Sequence, residues 1–347
     1  MDSAPAEIRG FLRNHDLSNV RGIIQDAAKN NRIDVLEWLH QHIPGGVAAE
    51  DYRSGDNYAL RWAAYYGHVA VLEWLHKHIP GGVAAEDCRG KNNYALRWAA
   101  NQGHVAVLEW LHQHIPGGAT AEDCRFENNA ALRGAASNGH VAVLEWLHQH
   151  IPGSATAEDC RFENNAALRW AACNGHVGVL EWLHECIPGG ATAEDCRADN
   201  NRALRWAACN GHVGVLEWLN ERIPGGVTAE DCRADNNYAL RWAAEQGHVS
   251  VLEWLNDHIP GGATAEDCRA EDNRALRWAA EQGHVGVLEW LATKLTLAEF
   301  AQFKRENVWR QVQQQMRRKS MLALVVAGKR KKIRLPPEMW ELVEQWY

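Results

Sequence analysis

Histidine is the residue type best suited to chemistry in this sequence, and it recurs in two fixed patterns. His-x-His stands at His76/His78, His112/His114 and His148/His150, which invites a metal reading. Residues two apart on a helix point to different faces, and no cysteine pair or carboxylate accompanies them at zinc-ligand spacing. Other copies abandon the pattern: Cys186 replaces one histidine, and one copy reads Asn220-Glu221-Arg222. A polar face favourable to a helix C-terminus accounts for them, so no metal and no other cofactor is expected. Gly-His recurs at His68, His104, His140, His176, His212, His248 and His284. Catalysis needs one focused constellation rather than a ladder of copies, so these pairs read as turns and caps. With no phosphate loop, nucleophile elbow or paired-carboxylate setting either, the chain is not expected to be an enzyme. Cys88, Cys124, Cys160, Cys196, Cys232 and Cys268 recur every 36 residues. Packed layers lie about 10 Å apart, and a disulfide needs Cα atoms within about 7 Å. The ladder therefore reads as reduced small hydrophobes in a reducing, intracellular compartment.

The same 36-residue step governs the elements that must position these residues. The tryptophan of Glu-Trp-Leu falls at Trp38, Trp74, Trp110, Trp146, Trp182, Trp218, Trp254 and Trp290. A unit beginning at Asn92 reads NNYALRWAANQGHVAVLEWLHQHIPGGATAEDCRFE. Its first helix is expected over Tyr94 to Gln102, built of good helix formers, with Asn92 and Asn93 as N-cap candidates and Gly103 as the left-handed stop. A second helix is expected from Val105 to Ile115, where Val105, Val107, Leu108, Leu111 and Ile115 repeat at helical spacing. Pro116-Gly117-Gly118 ends it, and Thr120 with Asp123 forms a capping box for one further short turn. Neither helix can bury its apolar face alone, and stacking supplies the core. The first unit is degenerate, with Asp26-Ala27-Ala28 in place of Trp-Ala-Ala and Tyr52 in place of Cys, as a cap facing water requires. The fold class is all-α: about eight stacked helix-turn-helix repeats over residues 20–295, an N-terminal cap helix within 1–19, and a basic helical C-terminal region over 296–347.

Charge is unevenly placed. Residues 296–347 carry 11 Lys/Arg against 5 Asp/Glu, and the remainder carries 25 against 39. An acidic array disfavours nucleic acid as its ligand. No signal peptide is readable in the polar start, and no apolar run is long enough to span a bilayer. A monomer is expected. A second tryptophan ladder, Trp62, Trp98, Trp170, Trp206, Trp242 and Trp278, lies on the first helix and is broken by Gly134. It reads as packing between repeats, with an aromatic ligand face as the alternative. Gly134 then marks a notch or a looser joint.

The unit resembles the ankyrin repeat. ALRWAAxxGHVxVLEWL lines up with that family's Pro-Leu-His-x-Ala-Ala, Gly-His and Val-Val-x-Leu-Leu positions: Ala95 stands at the Pro, Leu96 at the Leu, Arg97 at the His. The period is three residues longer than the family's roughly 33. IPGGATAEDCR stands where the family has its β-hairpin, so a hairpin or a short helical turn remain the two options there. The resemblance implies a solenoid whose concave face, lined by the loop before the first helix and by that helix's end, grips a protein. Copies differ most at those two places. The candidate partner-binding residues are Tyr58, Tyr65, Tyr66, Tyr94, Gln102, Phe126, Phe162, Arg202, Tyr238, Glu245 and Arg274. Tyr and Arg are favoured interface anchors, and the acidic array suits a basic partner.

The C-terminal region opens at Thr296-Leu-Ala-Glu299 with another capping box. Lys329 to Lys332 read as a nuclear address or as a solvated linker. The end resembles the start of an F-box, with Leu335, Pro336, Glu338, Trp340 and Val343 at its Leu-Pro-x-Glu and apolar helix positions. Ankyrin proteins of poxviruses and other large DNA viruses often end in such an F-box-like, PRANC-like segment. That resemblance implies docking to SCF-type ubiquitin ligase subunits, in a host cell if the chain is viral. A SOCS-box-like ending and a simple cap over the last repeat stand beside it.

Overall fold

The structure, a computed structural model, describes residues 4–296 apart from 17, 44–46, 115–117, 187–189, 223–224 and 259–260. Residues 335–343 and the basic run therefore lie outside the described residues, as does the C-terminal region after Thr296. The described residues form helices and turns, with no strand among them. They divide into two compact units, Met1–Ala203 with Arg222–Pro224, and Leu204–Glu221 with the chain from Gly225. Each unit is a stack of helix-turn-helix repeats.

The repeat starting at Thr120 shows how the sequence builds the unit. Thr120 Oγ1 accepts from the Asp123 amide at 3.2 Å, and the Asp123 carboxylate accepts from the Thr120 amide at 2.9 Å. This is the expected capping box, and it opens the helical segment Ala121–Ser137. That segment is interrupted: Phe126 is extended, and Glu127, Asn128 and Asn129 take φ of 49°, 61° and 57°. The repeat thus has a short helix, a left-handed turn, a first helix from residue 130, and a second helix, Val141–His150. A short helix stands where the family's β-hairpin would be.

The Asn pair is therefore not an N-cap. An N-cap needs extended backbone, whereas Asn92, Asn93, Asn128, Asn129, Asn164, Asn165, Asn236 and Asn237 all have positive φ. Left-handed backbone costs an L-residue about 1–2 kcal/mol, and Asn tolerates it best. The repeated asparagines encode a bend.

Side-chain hydrogen bonds hold that bend. Arg97 Nε donates to the Asn92 carbonyl at 2.6 Å and its Nη2 to the Lys91 carbonyl at 3.4 Å. Its Nη1 pairs with Glu127 of the following repeat. The same stitch joins Arg133 to Glu163 and Arg169 to Asp199 in the first unit, and Arg205 to Asp235 and Arg241 to Glu271 in the second. A second stitch uses the capping aspartates: Arg53–Asp87, Arg89–Asp123, Arg125–Asp159 and Arg161–Asp195 in the first unit, Arg233–Asp267 in the second. Burial pushes the Asp123 carboxyl up, but hydrogen bonds from Arg89 and Thr120 outweigh it and hold the group below the usual carboxylate range.

The core is the second helix and the small side of the first. Val107, Leu108, Trp110 and Leu111 are buried, as are Ala95, Leu96, Ala99 and Ala100; the alanines let neighbouring first helices approach closely. Trp74, Trp110, Trp146, Trp182, Trp218 and Trp254 are buried, whereas Trp38 and Trp290, in the outermost repeats, stay half-buried. That gradient is what neighbour-only contacts produce. The cysteine ladder lies inside the same packing. Burial pushes the thiols of Cys88, Cys124, Cys160, Cys196 and Cys232 up to about 12, which makes them inert.

The two histidine patterns are structural. His104 Nε2 lies 3.0 Å from the Tyr65 carbonyl, to which it donates. The same ring covers Gly67 so closely that a Cβ there would fall 2.8 Å from Cε1. The Gly-His turn is thus a latch between repeats. In His-x-His, His78 stacks on Trp74 with centroids 4.2 Å apart and bonds the Trp74 carbonyl at 2.8 Å, while His76 Nδ1 accepts from the Val83 amide at 3.1 Å.

Candidate functional site

Ala, Leu and Val fill the inner sides of the helix pairs, which leaves the other side of each first helix to carry large polar-aromatic residues. In the first unit this collects Tyr58, Tyr65, Tyr66 and Tyr94 around Trp62 and Trp98. Tyr58 lies 5.4 Å from Trp62 between ring centroids, Tyr66 stacks on Trp62 at 5.5 Å, and Tyr65 bridges Trp62 and Trp98 at 5.1 and 5.2 Å. Tyr94 lies 5.6 Å from Trp98. Cations sit on these rings: Lys29 over Trp62 at 5.3 Å, and Arg61 over Tyr94 at 4.8 Å and Tyr58 at 5.8 Å. Tyr66 is 39% exposed, so the cluster reaches solvent.

The second unit carries a smaller group of the same kind. Tyr238 stacks on Trp242 at 5.4 Å, Trp242 meets Trp278 at 5.3 Å, and Arg205 and Arg274 lie over Tyr238 and Trp278 at 4.9 and 3.6 Å. Glu245, from the same helix as Trp242, keeps one carboxylate oxygen buried without a partner. Burial pushes its carboxyl up, against a smaller opposite pull from Arg274.

Not every residue singled out by variation joins these clusters. Phe126 and Phe162 are 42% and 41% exposed at the entrances to their left-handed turns, apart from the rings. Gln102 bonds its neighbour Asn101 at 2.9 Å. Arg202 pairs with Asp199 at 2.8 Å. Of the two readings of the second tryptophan ladder, packing between repeats or an aromatic face, the structure favours the second for Trp62, Trp98, Trp242 and Trp278, which carry both clusters and stay half-buried, and Trp170 is 40% exposed. A tryptophan at fixed spacing looks the same in sequence whether it faces in or out. Gly134 is not a looser joint: the Asn101 Cα comes within 3.3 Å of where its Cβ would be, and Asn101 fills the place of the missing ring.

Chemically, the face can stack, donate from tyrosine hydroxyls and hold ions, but it groups no nucleophile with a base. The fold defines a helical repeat protein. A family description reading Ankyrin repeats (3 copies) matches residues 24–122, 60–154 and 132–231, together 208 of the 347 residues. The chain belongs to the ankyrin-repeat family. No curated protein matches it. Ankyrin repeats generally mediate protein–protein interaction and are typically non-catalytic. No helix among the described residues is long and apolar enough to cross a membrane.

Proposed function

We propose that this chain is a binding scaffold that grips a partner protein on its first-helix face, the side that ankyrin arrays use as their concave surface. The observation that carries the reading is the gathering of six aromatic rings, Tyr58, Trp62, Tyr65, Tyr66, Tyr94 and Trp98, on one outward side of consecutive repeats. Rigid aromatics bury much area at little entropy cost and dominate interface energetics. The acid excess of residues 1–295 supports faster, salt-sensitive association with a basic partner surface. Tyr58→Ala with Tyr94→Ala removes two anchors, each typically worth at least about 2 kcal/mol, and is expected to abolish capture of the partner. Changing His112 and His114 should leave it intact. Loss through the histidines with retention through the tyrosines would move the binding surface elsewhere.

The Leu335-Pro336-x-Glu338 resemblance supports a narrower role, a substrate adaptor that holds its target on the array and docks a ubiquitin ligase through its end. Deleting residues 329–347 separates the two: the adaptor loses ligase subunits and keeps its target, whereas a plain scaffold loses neither.

A further inference from the structure

At one joint between described repeats the stitch between left-handed turns keeps its arginine but lacks its carboxylate. At five joints an arginine on the first helix donates its Nη1 to a carboxylate thirty residues on: Arg97–Glu127, Arg133–Glu163, Arg169–Asp199, Arg205–Asp235 and Arg241–Glu271. Where the first joint lacks the carboxylate, having Gly55 there, it also lacks the arginine, and Gln25 bonds Ser54 instead. Among the joints whose two repeats are both described, only that of Arg61 has the arginine without the carboxylate, because the matching position holds Lys91. Arg61 keeps the local half of the stitch, donating Nε to the Asp56 carbonyl at 2.7 Å and Nη2 to the Gly55 carbonyl at 2.9 Å. Lys91 turns away to Asp56, 3.1 Å off and exposed.

Arg61 is only 7% exposed, so its charge is largely out of water, and it has no carboxylate partner. A buried charge is normally paired, because desolvation without a counter-charge is costly. Its Nη1 makes no hydrogen bond and keeps some contact with solvent. Tyr94 and Tyr58 flank the guanidinium.

We propose that this gap is a carboxylate-recognition site, filled by an Asp or Glu side chain of the partner protein, which supplies from outside the acid that the other repeats supply from within. The guanidinium takes the carboxylate at its Nη1 edge, and the tyrosine rings exclude water around the pair. The acidic residue is a single anchor and is compatible with a partner surface that is basic elsewhere. The inference rests on the first-helix face being the partner surface.

The test uses the full chain and three fluorescent Gly/Ser peptides, carrying paired glutamates, paired phosphoserines or paired lysines, read by anisotropy. The glutamate peptide is expected to bind at least about tenfold tighter than the lysine peptide. Lys91→Glu, which copies the other joints and suits the same backbone, should weaken it at least about tenfold and raise the melting temperature by pairing with Arg61. Lys91→Gln should retain binding, and so should Lys77→Glu, which changes net charge equally at an exposed site away from the gap. The inference is overturned by any of these results: no glutamate-peptide binding up to about 1 mM, preference for phosphoserine with none for glutamate, equal losses in Lys77→Glu and Lys91→Glu, or an unchanged melting temperature in Lys91→Glu. Loss through Tyr58→Ala with Tyr94→Ala but not through Lys91→Glu overturns it too, while leaving the partner face standing.

Discussion

Two glycines with nearly the same backbone separate the strain of a turn from the latch between repeats. Gly67 and Gly81 have φ of 78° and 82°. A Cβ on Gly81 would meet nothing within 4 Å, whereas one on Gly67 would fall 2.8 Å from both Cε1 and Nδ1 of His104. Gly81→Ala therefore pays only for left-handed backbone, about 1–2 kcal/mol. Gly67→Ala pays that and also displaces the His104 ring, losing its bond to the Tyr65 carbonyl at 3.0 Å, a further 0.5–1.5 kcal/mol or so, plus ring contact. The expected totals are about 1–2 kcal/mol for Gly81→Ala and about 2–4 kcal/mol for Gly67→Ala. Urea denaturation of the full chain measures both. Because the loss falls on a joint, Gly67→Ala should also broaden the transition or split it, and Gly81→Ala should not. Equal costs, within about 0.5 kcal/mol, would refute the latch.

Asp123→Ala removes at once the capping bonds to Thr120 and the pair with Arg89; it should cost more than Thr120→Ala, whose loss is about 1 kcal/mol, and denaturant melts of the two variants check the order. His104, His140 and His248 are held below the ordinary histidine range, by burial first, against a smaller opposite effect of their bonds to backbone carbonyls. The unfolded chain thus binds protons more readily, so these groups' contribution is present above about pH 6.5 and is lost as pH falls below it. Melting temperatures across pH 7.5 to 5 should fall toward acid, less so in His104→Gln.

The period, both helices of each unit and the capping box were legible because apolar spacing and capping chemistry are local in sequence. Asn92-Asn93 misled because asparagine serves caps and left-handed bends alike, and only the neighbouring Arg97 and Glu127, which tie the bend down, tell them apart. The two stitches link residues 34 and 30 apart, separations that carry no meaning until the 36-residue period is subtracted. A signal existed all the same: Gln25 and Gly55 lose their charges together. The tyrosines of the candidate face stand out through variation among copies, whereas Trp62 and Trp98 hardly vary in kind, so the sequence leaves packing and an outward aromatic face side by side and the fold decides between them.

The central claim, that a protein partner is held on the first-helix face, is tested most directly by a photo-crosslinking residue placed in turn at Tyr66 and at Gln113, both exposed but on different helices of their repeats. The account predicts that position 66 captures a partner protein, that capture disappears in Tyr58→Ala with Tyr94→Ala, and that position 113 captures none. Capture at 113 with none at 66 would contradict it.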